Sequence, residues 1–162
     1  MSFTKIRSTS SDYLLACVVA TEVPPNPIDS PGKPPFTIEM RDKAIRAVID
    51  VIANRVSSDK FPLTEVQVLL QRKAFSGVYL SQVSGEDFWV RAVAGKWFPE
   101  HVERCYNVWK DETWEDITGG CTYYFSPISM NPPMSEPDWW ANLSEMVIPG
   151  LSGEYFRFGR EN

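Results

Sequence analysis

The chain has one histidine, and that scarcity removes much of the usual catalytic apparatus. A zinc site built on imidazole normally takes two or more, and a serine triad needs one beside its nucleophile. The single residue, His101, opens the polar stretch PEHVERCYNVW, a setting that predicts a surface side chain. On residue type alone a Cys–His pair stays open. The three cysteines, Cys17, Cys105 and Cys121, stand far apart and form no CxxC, which predicts reduced core thiols and no disulfide framework. No apolar run approaches the roughly 20 residues of a membrane span. The N-terminal MSFTKIRSTSSDY has neither the apolar core nor the cleavage pattern of a signal peptide, so export by that route is not expected. Sixteen basic residues face 21 acidic ones, a net charge of −5 with no basic block. The footprint of a nucleic-acid binder is missing, and an anionic polymer gains no long-range attraction. Nothing in these counts calls for a metal or a cofactor.

What is present suits a single domain over residues 1–162, with 43% hydrophobic residues and a flexible lead of residues 1–10. Ser10 or Ser11 caps a first helix on which Leu14, Cys17, Val18 and Thr21 share a face, ending near Val23 because Pro24 follows. Residues 24–36 hold six of the thirteen prolines and read as an ordered or semi-rigid loop. Thr37 caps the clearest helix, IEMRDKAIRAVIDVIANRV, whose Ala44, Ile45, Ala47, Val48, Val51 and Ile52 form an apolar stripe. Thr64 caps a short helix, KAFSGVYLS is a loop, and two more helices are expected at 86–96 and 99–111. The Gly pair in GGCTYYFSP introduces a strand, and GLSGEYFRFG reads as its partner across the intervening residues. The class is α+β, mostly helical, with a small antiparallel sheet.

The chemistry therefore falls to carboxylates. Glu22 is the only charged side chain between Asp12 and Asp29, and it ends an apolar helix. A carboxylic acid delivers a proton to a leaving oxygen only if it stays protonated near neutral pH. Free Glu ionises at about 4.3, and an apolar surround raises that value. Ala16, Cys17, Val18, Val19 and Ala20 predict such a surround for Glu22, with the prolines keeping the loop from collapsing over it.

Several segments, in order, resemble the SleB-like cell-wall hydrolase family, whose best-known members degrade spore cortex peptidoglycan and whose relatives occur in bacteriophages. AIRAVIDVIANRVSSDKFP is similar to its Asn-Arg-Val helix and following Phe-Pro, here Asn54, Arg55, Val56, Phe61 and Pro62. VQVLLQRKAFSG is similar to its Gln-Phe-Ser region, with Ala74 where Gln is usual. EDITGGCTYYFSP resembles its Asp-Pro-Thr-x-Gly-Ala-Thr-x-Phe block, with Ile117 for Pro and Cys121 for Ala. DWWANLSEMVIPGLSGEYFRF resembles its closing segment without the His. The resemblance implies a lysozyme-like fold and cleavage of the MurNAc–GlcNAc bond, usually as a lytic transglycosylase forming 1,6-anhydromuramoyl ends, with hydrolysis by a muramidase as the other outcome.

By the same resemblance Glu22 matches the catalytic Glu of a Tyr-Gly-Glu-Ala-Arg stretch, although Ala20, Thr21, Val23 and Pro24 replace its neighbours. Asp116 is the candidate for a second acid; a turn-forming Asp is its alternative reading. Thr118, Thr122 and Tyr124 would line the sugar groove, with Ser76 and Phe75 on another wall. Of Trp139 and Trp140, one is expected to point inward and the other, Trp139, to meet sugar rings. The expected partner is the glycan strand of peptidoglycan. The small size suits a lysis enzyme held in the host cytoplasm until a holin releases it, or a virion component. The alternative is a virion structural or peptidoglycan-binding protein that kept the fold without activity. An amidase or peptidase is disfavoured by the lone His.

Overall fold

The computed structural model describes residues 11–58, 60–61, 99–111 and 115–162. The expected helices after Thr64 and at 86–96, and the loop with Phe75 and Ser76, lie outside the described residues. The chain divides into two compact units. One comprises residues 1–25 and 55–114, the other residues 26–54 and 115–162.

In the first unit, helix α1 (Ser11–Glu22) packs on helix α3 (Pro99–Lys110). Residues 15–20 are all fully excluded from solvent, so this run of α1 is apolar on every side because it is buried on every side. Polar clasps close the antiparallel pair at both ends. Trp109 Nε1 donates to Asp12 Oδ1 at 2.7 Å and Lys110 Nζ to Asp12 Oδ2 at 3.3 Å. At the other end His101 Nε2 bonds the Val23 carbonyl at 2.8 Å. His101 is 1% exposed, which corrects the surface placement its polar neighbours suggest. Cys17 and Cys105 are buried in this unit and form no disulfide, as the spacing implies.

The second unit is built on helix α2 (Ile38–Ser57), whose last turn crosses the division between the units. Thr37 Oγ1 accepts the Met40 N–H at 3.2 Å, the expected N-cap. Its apolar stripe from Ala44 to Ile52 is fully buried. The proline loop is ordered: Ile28 and Phe36 exchange both backbone hydrogen bonds at 2.9 Å. Phe36 packs on Tyr155 with ring centroids 4.7 Å apart, and the Tyr155 hydroxyl donates to the Pro34 carbonyl at 2.8 Å.

Three antiparallel strands complete this unit: β1 (Tyr123–Phe125), β2 (Leu143–Met146) and β3 (Arg157–Glu161), in the order β1-β3-β2. The expected pairing of the Gly-Gly strand with the C-terminal strand holds, with Tyr124 opposite Phe158. β2 lies inside the segment read as a connection and pairs on the far edge of β3, with Glu145 opposite Gly159. The described residues are thus α+β and helix-rich.

Candidate functional site

Glu22 is the last residue of α1 and is half-buried. The helix stops there with local help. Thr21 Oγ1 donates back to the Val18 carbonyl at 2.7 Å, and the Val23 N–H closes onto the Val19 carbonyl at 3.1 Å. The carbonyls of a final helical turn have no intrahelical donor. His101 supplies one just beyond the turn, at Val23. An arginine guanidinium only donates, so Arg104 Nη1, 2.8 Å from His101 Nδ1, makes that nitrogen an acceptor. The imidazole is therefore neutral with its proton on Nε2, donated to Val23.

Asp116 belongs to the second unit, where it organises the turn into β1. Its Oδ1 accepts the Thr118 N–H at 2.8 Å and the Thr118 hydroxyl at 2.7 Å. Its Oδ2 accepts the Gly120 N–H and Asn54 Nδ2, each at 3.0 Å. Burial opposes ionisation here, but these four donors outweigh it and hold the carboxyl below its ordinary range. Gly119 and Gly120 have φ of 67° and 90°, the left-handed backbone that bends the chain so both amides reach one carboxylate. Asn54 also donates to the Cys121 carbonyl at 3.0 Å. Arg160 Nη1 ties the Gly119 carbonyl to β3 at 3.0 Å.

Thr118 is 1% exposed, and its hydroxyl is used inside the loop: it donates to Asp116 and accepts the Cys121 N–H at 3.2 Å. The Cys121 thiol donates to the Thr118 carbonyl at 3.1 Å, and burial pushes its pKa up to about 11. Thr122 follows, half-buried, its N–H on the Gly159 carbonyl at 3.2 Å.

Strand alternation separates the remaining sequence-derived contacts. Tyr124 faces Phe156 and Phe158, with centroids 6.3 and 5.9 Å away. Tyr123 and Phe125 face the other way, onto Trp139 at 5.5 and 6.2 Å. Trp139 is 41% exposed and Trp140 6%, the inward–outward split expected of the pair. Trp140 is pinned by Arg157, whose guanidinium lies 4.9 Å from its ring and binds both oxygens of Glu145, at 3.0 and 2.7 Å.

Sequence reasoning missed Asp50. It is fully buried on α2, and its Oδ2 accepts the Ile117 N–H at 2.9 Å. Burial first, and then Asp116 nearby, push its pKa up to about 7, against the Ile117 hydrogen bond. The available signal was the row Arg46, Asp50, Asn54, polar at four-residue spacing through an apolar helix. Among the described residues no cluster of His, Cys, Asp and Glu is arranged to hold a metal ion, and no helix is long and apolar enough to cross a membrane.

A family model described as Cell Wall Hydrolase matches residues 41–149. A comparison with curated proteins gives no match. Among solved structures, the chain is similar to the catalytic domain of the germination-specific lytic transglycosylase SleB from Bacillus anthracis. That match has 20% identity and a TM-score of 0.54, covering 94% of this chain and 98% of that one. The catalytic domain of the Bacillus cereus SleB protein is similar at 20% identity and a TM-score of 0.52, covering 94% and 93%. At this identity the two structures speak for the fold.

Proposed function

Given that this chain belongs to the cell wall hydrolase family, we propose that it cleaves the MurNAc–GlcNAc bond of peptidoglycan with Glu22 as general acid and base. The observation that carries this reading is the setting of Glu22: a half-buried carboxyl at the end of a helix whose residues 15–20 are wholly desolvated. A proton donor must be neutral when the glycosidic bond breaks, and desolvation is the general means of keeping a carboxylic acid so. In the first step Glu22 gives its proton to the glycosidic oxygen as the bond from MurNAc C1 breaks. In the second, the Glu22 carboxylate takes the proton of the MurNAc 6-hydroxyl while that oxygen attacks C1. The product is a 1,6-anhydromuramoyl end, water is not consumed, and Glu22 is protonated again.

This route needs no second acid. Asp116, held as an anion by four donors, fits the role of loop organiser better than that of proton donor. Thr118 then acts through the loop. Thr122 and Tyr124 alternate onto one face of the sheet and Trp139 lies on the other, so one sugar groove takes one set; the partly exposed ring of Trp139 suits the apolar face of a pyranose.

The second reading is a peptidoglycan-binding protein without activity. The family match begins at Arg41, after Glu22, and this leaves the acid outside the matched residues. Turbidity loss of purified peptidoglycan separates the two readings. Mass spectrometry of the fragments distinguishes anhydro from reducing ends, and released stem peptides would indicate an amidase. Glu22→Gln should lower the rate about 10²–10⁴-fold while leaving the fold intact. A variant that clears walls as fast as the parent removes Glu22 from the mechanism.

A further inference from the structure

Asp50 has no part in the proposed chemistry, yet it occupies the interior of α2 at zero exposure. Only one of its oxygens has a donor: Oδ2 takes the Ile117 N–H. Oδ1 is buried without a hydrogen-bond partner, the one such side-chain atom among the described residues. An ionised carboxylate in that state would be a buried charge with one oxygen wholly unmet, which is expensive. A neutral acid is different, because an oxygen carrying the proton becomes a donor. Asp116 is bonded to Asn54, one turn further along α2, and immediately precedes Ile117, whose N–H Asp50 holds, so the two carboxyls are neighbours and the Asp116 charge opposes ionisation of Asp50.

Two carboxyls in one site do not both ionise cheaply, and one keeps a proton. Asp116 has four donors and Asp50 one, so the proton belongs to Asp50. Arg46, one turn earlier on α2, favours the ionised form but is the weakest influence on Asp50. The Cys121 thiol beside Asp116 stays neutral, and Arg160 is engaged with the Gly119 carbonyl.

We propose that Asp50 is a positioning residue: as a neutral acid it donates its Oδ1 proton to Asp116 and so fastens residues 116–121, the approach to β1, onto α2. The functional half of this statement rests on the proposed reading, in which the loop borders the glycan-binding strand. When Asp50 loses its proton to solvent, the donor disappears and two anions face each other, so the loop loosens and sugar positioning degrades.

The test uses Asp50→Asn. The amide oxygen still accepts from Ile117, the amide N–H still points at Asp116, and the side chain stays neutral at every pH. Carboxyl carbon NMR of the whole chain should show one aspartate titrating near pH 7 that is missing in the variant. The Thr118 and Gly120 amide resonances should follow the same midpoint in the parent and stay flat in Asp50→Asn. If every aspartate carboxyl titrates below about pH 5, or these amides ignore the titration, the proposal is overturned. In glycan cleavage, the ratio of variant to parent rate should rise several-fold above pH 7; a constant ratio overturns the positioning role. If neither protein cleaves glycan while the titration and its amide response are present, the acid pair stands, and it is the assigned activity that fails.

Discussion

Asn54 Nδ2 lies 3.0 Å from Asp116 Oδ2, joining positions 62 residues apart in the chain. The same amide holds the Cys121 carbonyl, so one side chain fixes both ends of the turn into β1. Asn54→Leu keeps the branched shape and removes the bonds to Asp116, the Thr118 hydroxyl and the Cys121 carbonyl, one of them to a charged acceptor. Stability should fall by about 2 kcal/mol, read by urea denaturation. A loss under about 0.5 kcal/mol would mean that the glycine turn and Asp116 hold the loop unaided.

Asp116 and Asp50 should pull acid and neutral stability in opposite directions. The Asp116 carboxyl titrates below its ordinary value in the fold. Its contribution is therefore present above the unfolded value of about 4 and is lost as pH falls through the folded one. Asp50 is raised to about 7. There the folded state binds the extra proton, so stability declines as pH rises from about 4 to about 7 and levels off above that. Melting curves should show Asp116→Asn closing its gap to the parent in acid. Asp50→Asn should gain on the parent between about pH 4 and about 7 and hold that gain above it. Parallel curves for either variant would contradict the corresponding assignment.

Neighbouring tryptophans should separate function from stability. Trp140 is buried beneath the Arg157 guanidinium, and Trp140→Ala should cost about 3–5 kcal/mol. Trp139 keeps 41% of its surface and touches Tyr123 and Phe125 from outside. Trp139→Ala should cost only about 1 kcal/mol while weakening retention on peptidoglycan in a pull-down. Unchanged retention would leave Trp139 an ornament of the sheet.

How far these features could be read in the chain depended on whether the signal was local. Periodicity and capping are local, so α1, the Thr37 cap, the buried stripe of α2 and α3 were all legible. The β1–β3 pairing was legible because glycines and aromatics mark both strands. β2 was not: Leu143–Met146 carries no β-branched or aromatic residue, and it is a strand because β3 offers it an edge. His101 and Asp50 were misjudged or missed for one reason. Polar residues are buried only when a distant chain segment supplies partners, and Val23 and Ile117 lie 78 and 67 residues away. The separation of Tyr124 from Trp139 on the sheet likewise follows from a register that no short window contains.

Gly159 tests that register directly. A Cβ there would stand 2.9 Å from the Trp140 ring and 3.2 Å from Leu143, closer than side chains tolerate. Gly159→Ala should destabilise by about 1–3 kcal/mol through overpacking. Trp140→Phe, by trimming the ring it meets, should recover part of that loss in the double variant. Additive losses in the double-mutant cycle would place the two residues out of contact.

His101 joins the fold of the first unit to the acid of the proposed mechanism. Its Nε2 proton goes to the carbonyl of Val23, the residue after Glu22, while Nδ1 takes the Arg104 guanidinium. His101→Phe fills the cavity but strands a buried carbonyl, which should cost about 1–3 kcal/mol. If the clasp also aims Glu22, the turnover rate should drop by about tenfold, well below the melting temperature, with little change in the substrate concentration for half-maximal rate. A tenfold change corresponds to about 1.4 kcal/mol, far less than the loss expected from Glu22→Gln. Lower stability with an unchanged rate would show that His101 fastens the helix pair and nothing more. A loss as complete as that of Glu22→Gln would point to direct participation of the imidazole and would overturn the single-acid mechanism.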